Sequence, residues 1–465
     1  MNIAIQPRVD VSSDFLEKLM QRFGNRVSTS ASMCERFGMD ESHHESMPPD
    51  AVVIVHSTEE VVEVVRLCNE YKVPMIPYGA GTGLEGSVAA VRGGIAINMQ
   101  EMNQIIQVND EDMDVVVQPG VTRIELNQYL RDKGLFFPVD PGANATIGGM
   151  VSTRASGTNA VLYGTMRDNV MALEVVLADG QIIRTGSRSR KSAAGYDLTR
   201  LFTGAEGTLG IITEITLRLR GIPEAISAAV CCFKDLDAAV QTVIQTIQIG
   251  VPVSRIELVD EVQMEAINKY SKTNYQIAPT LFLEFVGSES GVKEQAETVA
   301  MLADENGGAD FQWATNTDQR NELWRARHNA AYASKALRPN ASMWATDVCV
   351  PISRLSECIS LTRKELTEAE LISPIVGHVG EGNFHLSMMI DHNNPDEVHK
   401  AEQVHRNMVH RAIEFGGTCT GEHGIGIGKQ EFLELEHGAG VDVMRLIKKA
   451  LDPENLMSPG TIFSS

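Results

Sequence analysis

The glycine-rich segment PYGAGTGLEG, residues 77–86, constrains the fold of this chain more than any other part of its sequence. It contains the spacing GxGxxG through Gly81, Gly83 and Gly86, which is typical of the dinucleotide-binding turn of a doubly wound sheet. That turn must open a helix, whereas only six residues separate Gly86 from the next glycine pair, at 93–94. The sequence therefore argues against a nicotinamide site here. It predicts a loop whose backbone can wrap closely around a phosphate, and a glycine-rich turn without a ligand is the alternative.

At 465 residues the chain is too long for one hydrophobic core, so its length predicts two or three domains. Hydrophobic residues make up 43% and charged residues 22% of it, which is typical of a soluble globular protein. The formal net charge of −21 argues against nucleic acid or an anionic membrane surface as the main partner. A small anionic substrate is compatible with this charge, because a local cationic pocket can form on an acidic protein.

The cysteines and the first residues of the chain predict a cellular location. The seven cysteines are scattered without any CxxC spacing, so neither a disulfide framework nor an iron–sulfur cluster is predicted. The first ten residues lack the apolar core of a signal peptide and the arginine and serine bias of a transit peptide. No stretch approaches the ~18 uninterrupted apolar residues of a membrane-spanning helix. We therefore expect a reduced, cytoplasmic location.

Hydrophobic periodicity divides the chain into four parts and predicts a two-domain protein of the α+β class. Residues 1–47 form a mainly helical lead-in, and residues 48–223 form a mixed unit of short strands and helices. Residues 224–430 alternate strands and helices as in a helix-on-sheet domain, and residues 431–465 return to the first domain.

Local signals in the first domain predict individual elements. Ser57 and Thr122 each stand three residues before a glutamate, which predicts a capped helix after each of them. The Asp179-Gly180 dipeptide predicts a hairpin turn. Apolar alternation over residues 211–219 predicts a long strand.

The segment PIVGHVGEGNFHLSMMI, residues 374–390, predicts a β-hairpin. Apolar residues alternate on both sides of a four-residue loop at 380–383, which pairs His378 with His385 across the strands. Cross-strand partners have Cβ atoms ~4.5–5.5 Å apart, close enough for both imidazoles to bind one metal ion. Two separate structural histidines are the alternative.

A third metal ligand is offered by TCTGEHGIGIGK, residues 418–429, where Glu422 and His423 lie in a glycine-rich loop. Two histidines and one carboxylate would leave a coordination position open, which marks a catalytic rather than a structural metal site. An ordinary glycine-rich loop with an exposed glutamate–histidine pair is the alternative. The residues alone do not decide between the two.

The first glycine-rich segment, PVDPGANATIGGMVSTRASG at 138–157 and TGAEGTLGIIT at 203–213 together resemble the FAD-binding domain of vanillyl-alcohol-oxidase-type flavoproteins. The resemblance implies that the first loop holds the pyrophosphate, that the second segment contacts the diphosphate and the ring, and that the third lies beside the adenosine half. The residues for which it implies contacts with FAD are Pro77, Gly79, Gly81, Thr82, Gly83, Leu84, Pro141, Gly148, Gly149, Ser152, Gly157, Glu206, Ile211 and Ile212.

Some members of that family attach FAD covalently through a histidine in or near these loops. This sequence has no histidine between His56 and His328. The resemblance therefore implies that FAD is bound here without a covalent histidyl link.

HVGEGNFH together with GEHGIG resembles the C-terminal signature of the FAD-linked D-2-hydroxy-acid dehydrogenases. That family includes cytochrome-type D-lactate dehydrogenases, D-2-hydroxyglutarate dehydrogenases and the flavin subunit of glycolate oxidase. The similarity implies that His378, His385 and Glu422 bind a Zn²⁺ or Mn²⁺ ion and that His423 is the catalytic base. It also places Asn383 between metal, substrate and flavin.

The segment between the flavin-type motifs and HVGEGNFH indicates which substrate is bound. WRARHNAAYA at 324–333 and TDVCVPISRL at 346–355 look most like the cytochrome-type D-lactate dehydrogenases, and Arg327 occupies the place of an arginine that binds the substrate carboxylate in related enzymes. Without the family, a surface salt bridge is the ordinary interpretation of Arg327. The hydroxyglutarate enzymes carry a lysine where this chain has Ala345, so a monocarboxylate such as D-lactate is expected, with D-2-hydroxyglutarate and glycolate as alternatives. Relatives commonly end in a motif like LMNPGK, whereas this chain has LMSPGT, with Ser458 in place of the asparagine.

These resemblances imply an enzyme that oxidises a small D-2-hydroxy acid to the 2-oxo acid and passes the hydride to flavin N5. Its electron acceptor would be a cytochrome, a quinone or an electron-transfer flavoprotein, which could hold the protein peripherally at a membrane. A homo-oligomer is compatible with the sequence. The alternatives from other classes are a zinc hydrolase on the same ligand set and a non-catalytic flavin-binding module.

Overall fold

The computed structural model describes residues 7–464, apart from the side chains of Ala326 and His328, and it divides into two compact units. The first unit comprises the chain up to Ser156, Gly164–Ile222 and the segment from Glu422 onward, and the second comprises Gly157–Tyr163 and Pro223–Gly421. The chain thus re-enters the first unit at Glu422, whereas hydrophobic periodicity places that return at residue 431.

The elements of both units are as follows. The strands of the first unit are β1 (Val27–Ser28), β2 (Ala51–Ile54), β3 (Met75–Tyr78), β4 (Ile95–Asn98), β5 (Ile105–Asn109), β6 (Asp114–Val117), β7 (Leu135–Phe136), β8 (Val170–Val176), β9 (Ile182–Arg184), β10 (Ile211–Arg218) and β11 (Arg220–Gly221). Those of the second unit are β12 (Ala225–Phe233), β13 (Val253–Val259), β14 (Thr280–Gly287), β15 (Gly308–Ala314), β16 (Ser342–Ala345), β17 (Val348–Cys349), β18 (Ile375–His378) and β19 (Asn383–Ile390). The helices are α1 (Ser13–Phe23), α2 (Ala31–Phe37), α3 (Thr58–Tyr71), α4 (Arg123–Leu130), α5 (Ile147–Thr153), α6 (Ala160–Tyr163), α7 (Met166–Asn169), α8 (Leu198–Phe202), α9 (Leu236–Gln248), α10 (Glu261–Ser271), α11 (Glu289–Glu305), α12 (Thr317–His328), α13 (Ala330–Leu337), α14 (Ile352–Glu368), α15 (Pro395–Glu414), α16 (Gln430–His437) and α17 (Gly440–Leu451).

A four-stranded sheet of order β1-β2-β4-β3 forms one part of the first unit, and its strands β2, β4 and β3 are parallel. Pro77 lies in β3, at the edge of this sheet, where a residue without an N–H is tolerated. The Ser57 hydroxyl caps α3 by accepting the Glu60 N–H, so the helix predicted after Ser57 is confirmed. The glycine-rich loop 79–86 follows the carboxyl end of β3, the edge at which parallel sheets bind ligands.

A second, antiparallel sheet of order β5-β6-β10-β8-β9 completes the core of the first unit. Thr122 forms a full capping box with Glu125 at the start of α4, as predicted. The hairpin predicted at Asp179-Gly180 is present, because β8 and β9 pair antiparallel on either side of it. The long strand predicted over residues 211–219 is β10.

The second unit is built on an antiparallel sheet of order β15-β12-β14-β13-β18-β19-β16, with β17 pairing with β19. Helices α9, α11 and α12 each pack against β12, which gives the predicted helix-on-sheet arrangement. Helix α6 packs against β13, so residues 157–163 group with this unit although they belong to a flavin-type motif. The predicted α+β class is confirmed.

The hairpin predicted around His378 and His385 is present, but its register differs by two residues. Strands β18 and β19 pair Val376 with His385, and the four-residue loop is 379–382 rather than 380–383. Gly382 has a φ of 83° and ends the turn, so Asn383 already belongs to the strand. His385 is therefore a diagonal neighbour of His378. Because side chains alternate with a period of two, the shift leaves both histidines on one face.

All seven cysteines are unbridged, and six of them are buried. Within residues 7–464, no helix combines the length and the apolar character needed to cross a membrane.

Candidate active site and metal centre

His378 ends β18 and His385 lies within β19, and their imidazole rings are neighbours. The ring centroids are 5.2 Å apart, and the ring planes are inclined at 74°. His378 Nδ1 is 2.7 Å from Glu257 Oε1, and His385 Nδ1 is 2.9 Å from the carbonyl oxygen of Thr346. Both oxygens accept hydrogen bonds, so they favour a proton on Nδ1 of each ring. Nε2 is then the atom of each ring that would bind a metal.

Glu422 is the residue at which the chain leaves the second unit. The residues just before it are fixed, because the Thr420 hydroxyl donates to Asp347 Oδ2 at 2.8 Å. One carboxylate oxygen of Glu422 and one ring nitrogen each from His378 and His385 lie within 4.8 Å of one another. Two imidazoles and a carboxylate are the donor set of many catalytic zinc sites. The residues predicted as metal ligands are therefore brought together, and their chemistry fits a divalent ion.

Glu257, which the sequence analysis does not single out, contacts His378 directly. It lies on β13 opposite His378 in the pairing with β18, and it is 0% exposed. Its Oε2 accepts hydrogen bonds from Nε and Nη2 of Arg327, at 3.1 and 2.7 Å. Burial acts to raise the pKa of the Glu257 carboxyl, but electrostatic attraction to His378 and Arg327 and hydrogen bonds from both outweigh burial and hold it below its usual value. An acidic residue within the apolar strand sequence VSRIELV was the available signal.

Arg327, the predicted anchor of the substrate carboxylate, projects from α12. Its side chain is 14% exposed and is paired with a fully buried carboxylate, so a surface salt bridge does not describe it. Ala345, the residue predicted to stand where hydroxyglutarate enzymes carry a lysine, lies at the end of β16. The role of Arg327 towards substrate stays a prediction.

Asn383 is held by a second buried carboxylate. Its Nδ2 donates to Asp347 Oδ1 at 2.6 Å and to the carbonyl oxygen of Val348 at 2.9 Å. These two bonds fix the amide so that Oδ1 points away from them, and within the described part of the chain no donor reaches this buried oxygen. A Cβ on Gly421 would overlap the Asn383 amide, which requires glycine there. A buried acceptor without a protein donor fits the predicted place of Asn383 beside substrate and metal.

In the first unit, the loop after Glu422 is fixed by Glu206. Its two carboxylate oxygens accept the Ile425 and Gly426 N–H groups, each at 2.8 Å, and Oε2 also accepts from the Ser87 hydroxyl at 2.7 Å. Burial raises the pKa of Glu206 above its usual value, and these hydrogen bonds offset that rise only in part. The carboxylate thus serves the main chain of this loop, and its predicted contact with the adenosine half of FAD stays a prediction.

His423, the predicted catalytic base, lies in the same loop and is mostly buried. Its Nδ1 is 3.7 Å from Glu85 Oε1, and the same oxygen is 3.2 Å from Nζ of the fully buried Lys429. The carbonyl oxygen of Glu85 accepts the Ile427 N–H at 2.8 Å. Glu85 therefore joins the first glycine-rich segment to the loop that carries His423.

The first glycine-rich loop, which includes Gly79, Thr82, Gly83 and Leu84, has the backbone expected of a tight cradle. Gly81 has a φ of 70°, and a Cβ there would overlap the Tyr78 hydroxyl, so only glycine fits. The Gly86 N–H donates to Asp40 Oδ2 at 3.0 Å and fixes the far end of the loop.

The C-terminal segment brings buried hydroxyls to the same part of the first unit. The Ser458 N–H donates to the carbonyl oxygen of Met75 at 2.8 Å, and a Cβ on Gly207 would lie 2.7 Å from Pro77 Cγ and 2.8 Å from Ser458 Oγ. Ser458 Oγ and Thr461 Oγ1 are buried, and no group among residues 7–464 hydrogen-bonds to either of them. Buried hydroxyls of this kind, close to a glycine loop, fit a polar ligand such as FAD.

The remaining residues predicted to bind FAD lie in four places. They are Pro141 in the coil before α5, Gly148, Gly149 and Ser152 within α5, Gly157 at the start of the segment that joins the second unit, and Ile211 and Ile212 at the start of β10. The Ile211 and Ile212 side chains are packed in two hydrophobic cores, so a contact with FAD there would have to come from the main chain. All of these contacts stay predictions.

Comparison with known proteins identifies the family. Residues 222–462 match the family described as FAD linked oxidases, C-terminal domain, and residues 49–186 match the FAD binding domain family. A protein of Danio rerio named "Probable D-lactate dehydrogenase, mitochondrial" is 50% identical over 94% of this chain and 88% of its own length. The chain belongs to the FAD-linked D-2-hydroxy-acid dehydrogenase family. The family predicted from the motifs is thereby confirmed.

Other relatives and a solved structure agree with this assignment. "D-lactate dehydrogenase [cytochrome], mitochondrial" of Arabidopsis thaliana is 49% identical over 89% of this chain and 73% of its own length. The solved structure of p-cresol methylhydroxylase has a TM-score of 0.81 with 18% identity, and it covers 98% of each chain. At that identity the likeness shows the fold alone, and it confirms the predicted vanillyl-alcohol-oxidase-type architecture.

The predicted cytoplasmic location is wrong. The relatives from Danio rerio, Arabidopsis thaliana, Kluyveromyces lactis and Saccharomyces cerevisiae are all named as mitochondrial proteins, which points to the mitochondrion instead. The prediction failed because neither the spacing of the cysteines nor the composition of the first ten residues discriminates between these compartments.

Proposed function

We propose that this protein is an FAD- and divalent-metal-dependent dehydrogenase that oxidises D-lactate, or a similar D-2-hydroxy monocarboxylate, to the 2-oxo acid. The observation that carries the proposal is the set His378, His385 and Glu422, whose ligand atoms converge within 4.8 Å. The match to the FAD binding domain family supports FAD as the cofactor, and the relatives named as D-lactate dehydrogenases support D-lactate as the substrate.

The chain's own residues would divide the work as follows. A bound Zn²⁺ or Mn²⁺ would orient the substrate hydroxyl and lower its pKa, and bound FAD would accept the hydride from C2. His423 would take the hydroxyl proton as the general base. Arg327 would hold the substrate carboxylate, because its planar guanidinium suits a carboxylate. Asn383, with its amide fixed by Asp347, would orient the substrate through Oδ1.

A monocarboxylate suits the charges near Arg327. Glu257 already balances the positive charge of Arg327 in a buried pair. Ala345 provides no charge at the position where hydroxyglutarate enzymes carry a lysine. A second substrate carboxylate would therefore be poorly neutralised, which favours D-lactate over D-2-hydroxyglutarate.

For the electron acceptor we propose a cytochrome, because relatives from Arabidopsis thaliana and Saccharomyces cerevisiae carry "cytochrome" in their names. Anaerobic stopped-flow mixing of the reduced enzyme with a soluble c-type cytochrome tests it. Fast reoxidation is expected, and reoxidation by a soluble quinone alone would contradict the proposal.

Anaerobic bleaching of the flavin absorbance with a panel of D- and L-2-hydroxy acids tests the function itself. D-lactate should bleach the flavin, whereas L-lactate should not. Chelation with EDTA should abolish bleaching and leave most FAD bound, since the metal ligands lie outside the flavin motifs. Full activity of metal-free enzyme would show that no metal is needed. A preference for D-2-hydroxyglutarate or glycolate would replace the substrate, and a colourless, flavin-free protein would indicate a hydrolase.

The mode of flavin attachment has a separate test. Acid or heat denaturation should release the yellow chromophore into the supernatant, because the flavin motifs contain no histidine to form a link. Flavin that stays with the precipitated polypeptide would contradict non-covalent binding.

A further inference from the structure

Glu257 contacts the two side chains of the second unit that the proposed function uses most. Its Oε1 lies 2.7 Å from Nδ1 of the metal ligand His378. Its Oε2 accepts two N–H groups of Arg327, the proposed anchor of the substrate carboxylate. The two oxygens are thus divided between the two partners, and the residue is fully buried.

The sheet builds this arrangement from distant parts of the chain. Glu257 and His378 are register partners in the antiparallel pairing of β13 with β18, so their side chains share one face at ~4.5–5.5 Å between Cβ atoms. They are 121 residues apart in sequence, and Arg327 is 70 residues from Glu257. Such a contact forms only in the folded unit, where it is shielded from water.

We propose that Glu257 is a positioning residue that sets the metal-binding tautomer of His378 and at the same time aims Arg327. Metal affinity and binding of the substrate carboxylate then depend on one buried side chain. The inference rests on the proposed function, because it assumes that His378 binds metal and Arg327 binds substrate. Partners of this kind behind a metal-binding histidine fix its ring orientation and its protonation.

Only a carboxylate satisfies both partners. In Glu257→Gln the amide has one accepting oxygen and one donating nitrogen. Arg327 presents two N–H groups and a full charge, so the amide oxygen should face it and the amide nitrogen should face His378. The His378 ring would then carry its proton on Nε2, the atom needed for the metal. The affinity of the site for its metal should therefore fall, although the substitution only replaces one carboxylate oxygen by an amide nitrogen.

The test is the affinity of the FAD-loaded, metal-free enzyme for Zn²⁺, measured by competition with a chelator. Glu257→Gln should bind Zn²⁺ about 10–100-fold more weakly than the wild type, the usual effect of losing such a partner. The KM for D-lactate should rise as well, because Arg327 loses the carboxylate that aims its guanidinium. An unchanged Zn²⁺ affinity would overturn the inference.

Glu284 offers a matched control on the neighbouring strand β14. It is buried, it stands opposite Arg255 in the pairing of β13 with β14, and its Oε2 is 3.5 Å from Arg255 Nη1. Glu284→Gln removes the same charge from the same sheet without touching His378. It should keep the wild-type Zn²⁺ affinity. An equal loss in Glu284→Gln would mean that charge or sheet stability, rather than the contact with His378, sets the affinity, and it would overturn the inference.

Two further variants keep the outcome decisive. If Glu257→Gln does not fold, Glu257→Asp retains the charge but is one methylene too short to serve both partners, and it should also weaken Zn²⁺ binding or raise the KM. Wild-type values for both quantities in Glu257→Asp would overturn the inference.

His378→Ala separates the role of Glu257 from the existence of the metal centre. If it abolishes Zn²⁺ binding while Glu257→Gln does not, only the role of Glu257 fails, and if it retains wild-type affinity, the metal centre of the proposed function fails.

Discussion

Glu257 in the second unit and Glu206 in the first are both buried glutamates with both oxygens engaged, yet their partners differ in kind. Glu257 contacts two cationic or ionisable side chains, those of His378 and Arg327. Within residues 7–464, the hydrogen-bond donors to Glu206 are neutral: the Ser87 hydroxyl and two main-chain N–H groups. The pKa of Glu257 is held below its usual value by its contacts with His378 and Arg327, whereas burial raises the pKa of Glu206.

The difference shows what each carboxylate organises. Glu257 aims side chains, so its loss should be felt in ligand binding by the second unit. Glu206 fixes the main chain at Ile425 and Gly426, so its loss should be felt in the order of the loop that carries His423. One residue type thus serves two ends: the contacts with His378 and Arg327 outweigh the effect of burial on the pKa of Glu257, whereas the neutral donors to Glu206 offset that effect only in part.

The largest expected effect comes from removing His423, the proposed general base, which leaves the contacts of Glu257 intact. His423→Ala should slow anaerobic flavin reduction by D-lactate about 10²–10⁴-fold, the usual range for a general base. Bound metal should persist, because Glu422 rather than its neighbour is the proposed ligand. Metal analysis of the purified variant, alongside stopped-flow reduction, checks both. Loss of metal in His423→Ala would show that the roles of the two neighbours are reversed.

The next largest effect is expected from Arg327, one of the two side chains that Glu257 contacts. Arg327→Ala should raise the KM for D-lactate roughly 10–100-fold, because a charge-assisted hydrogen bond is worth about 1.5–3 kcal/mol. Arg327→Lys should restore only part of it, since lysine lacks the planar fork. Steady-state kinetics on D-lactate and D-2-hydroxyglutarate measures both variants. An unchanged KM in Arg327→Ala would exclude Arg327 from the substrate site.

A smaller effect is expected from Glu206 and from Ser87, which donates a hydrogen bond to it. Glu206→Gln leaves one main-chain N–H of the loop facing an amide nitrogen, which should lower the free energy of unfolding by about 1–3 kcal/mol. Ser87→Ala removes a single hydroxyl from the same carboxylate and should cost less, about 1 kcal/mol. Urea unfolding gives both values. Zn²⁺ affinity should fall less in each variant than in Glu257→Gln, and a comparable loss would erase the distinction between the two glutamates.

The smallest effect concerns pH. Because the pKa of Glu206 is raised in the folded protein, the unfolded chain loses this proton first as the pH rises. The stability that this group contributes below its unfolded pKa is therefore lost as the pH rises through its folded pKa. Glu206→Gln has no such proton, so its stability should fall less over the same interval. Unfolding of both proteins at about pH 5 and pH 8 measures the difference. Equal pH dependence would show that Glu206 is as readily ionised when buried as in water.

Features governed by neighbouring residues could be predicted from the sequence. The Ser57 and Thr122 caps, the turn at Asp179-Gly180 and the pair of histidines on one hairpin each depend on a few consecutive residues. The hairpin register was wrong by two, because a shift of two leaves every side chain on the same face and the apolar pattern does not change.

Features that depend on distant residues could not be predicted. Glu257 meets His378 only because β13 and β18 are adjacent in the sheet, and nothing in either strand's sequence specifies that neighbour. The grouping of residues 157–163 with the second unit has the same origin, since α6 packs against a strand formed much later in the chain. The localisation failed for another reason, since it was inferred from composition.

The discontinuity of the first unit has a consequence for how the protein is made. The segment from Glu422 onward is translated after the whole second unit, yet it supplies first-unit contacts such as the hydrogen bond from Ser458 to Met75 and that from Lys448 to the Thr208 carbonyl oxygen. The second unit can begin to fold on the ribosome as one nearly continuous stretch, but the first must wait with part of its apolar surface exposed. Contacts across such sequence separations form slowly. The first unit should therefore be the late-folding and chaperone-dependent half of the nascent chain. FAD supplied during synthesis should raise the yield of soluble protein by binding the completed first unit.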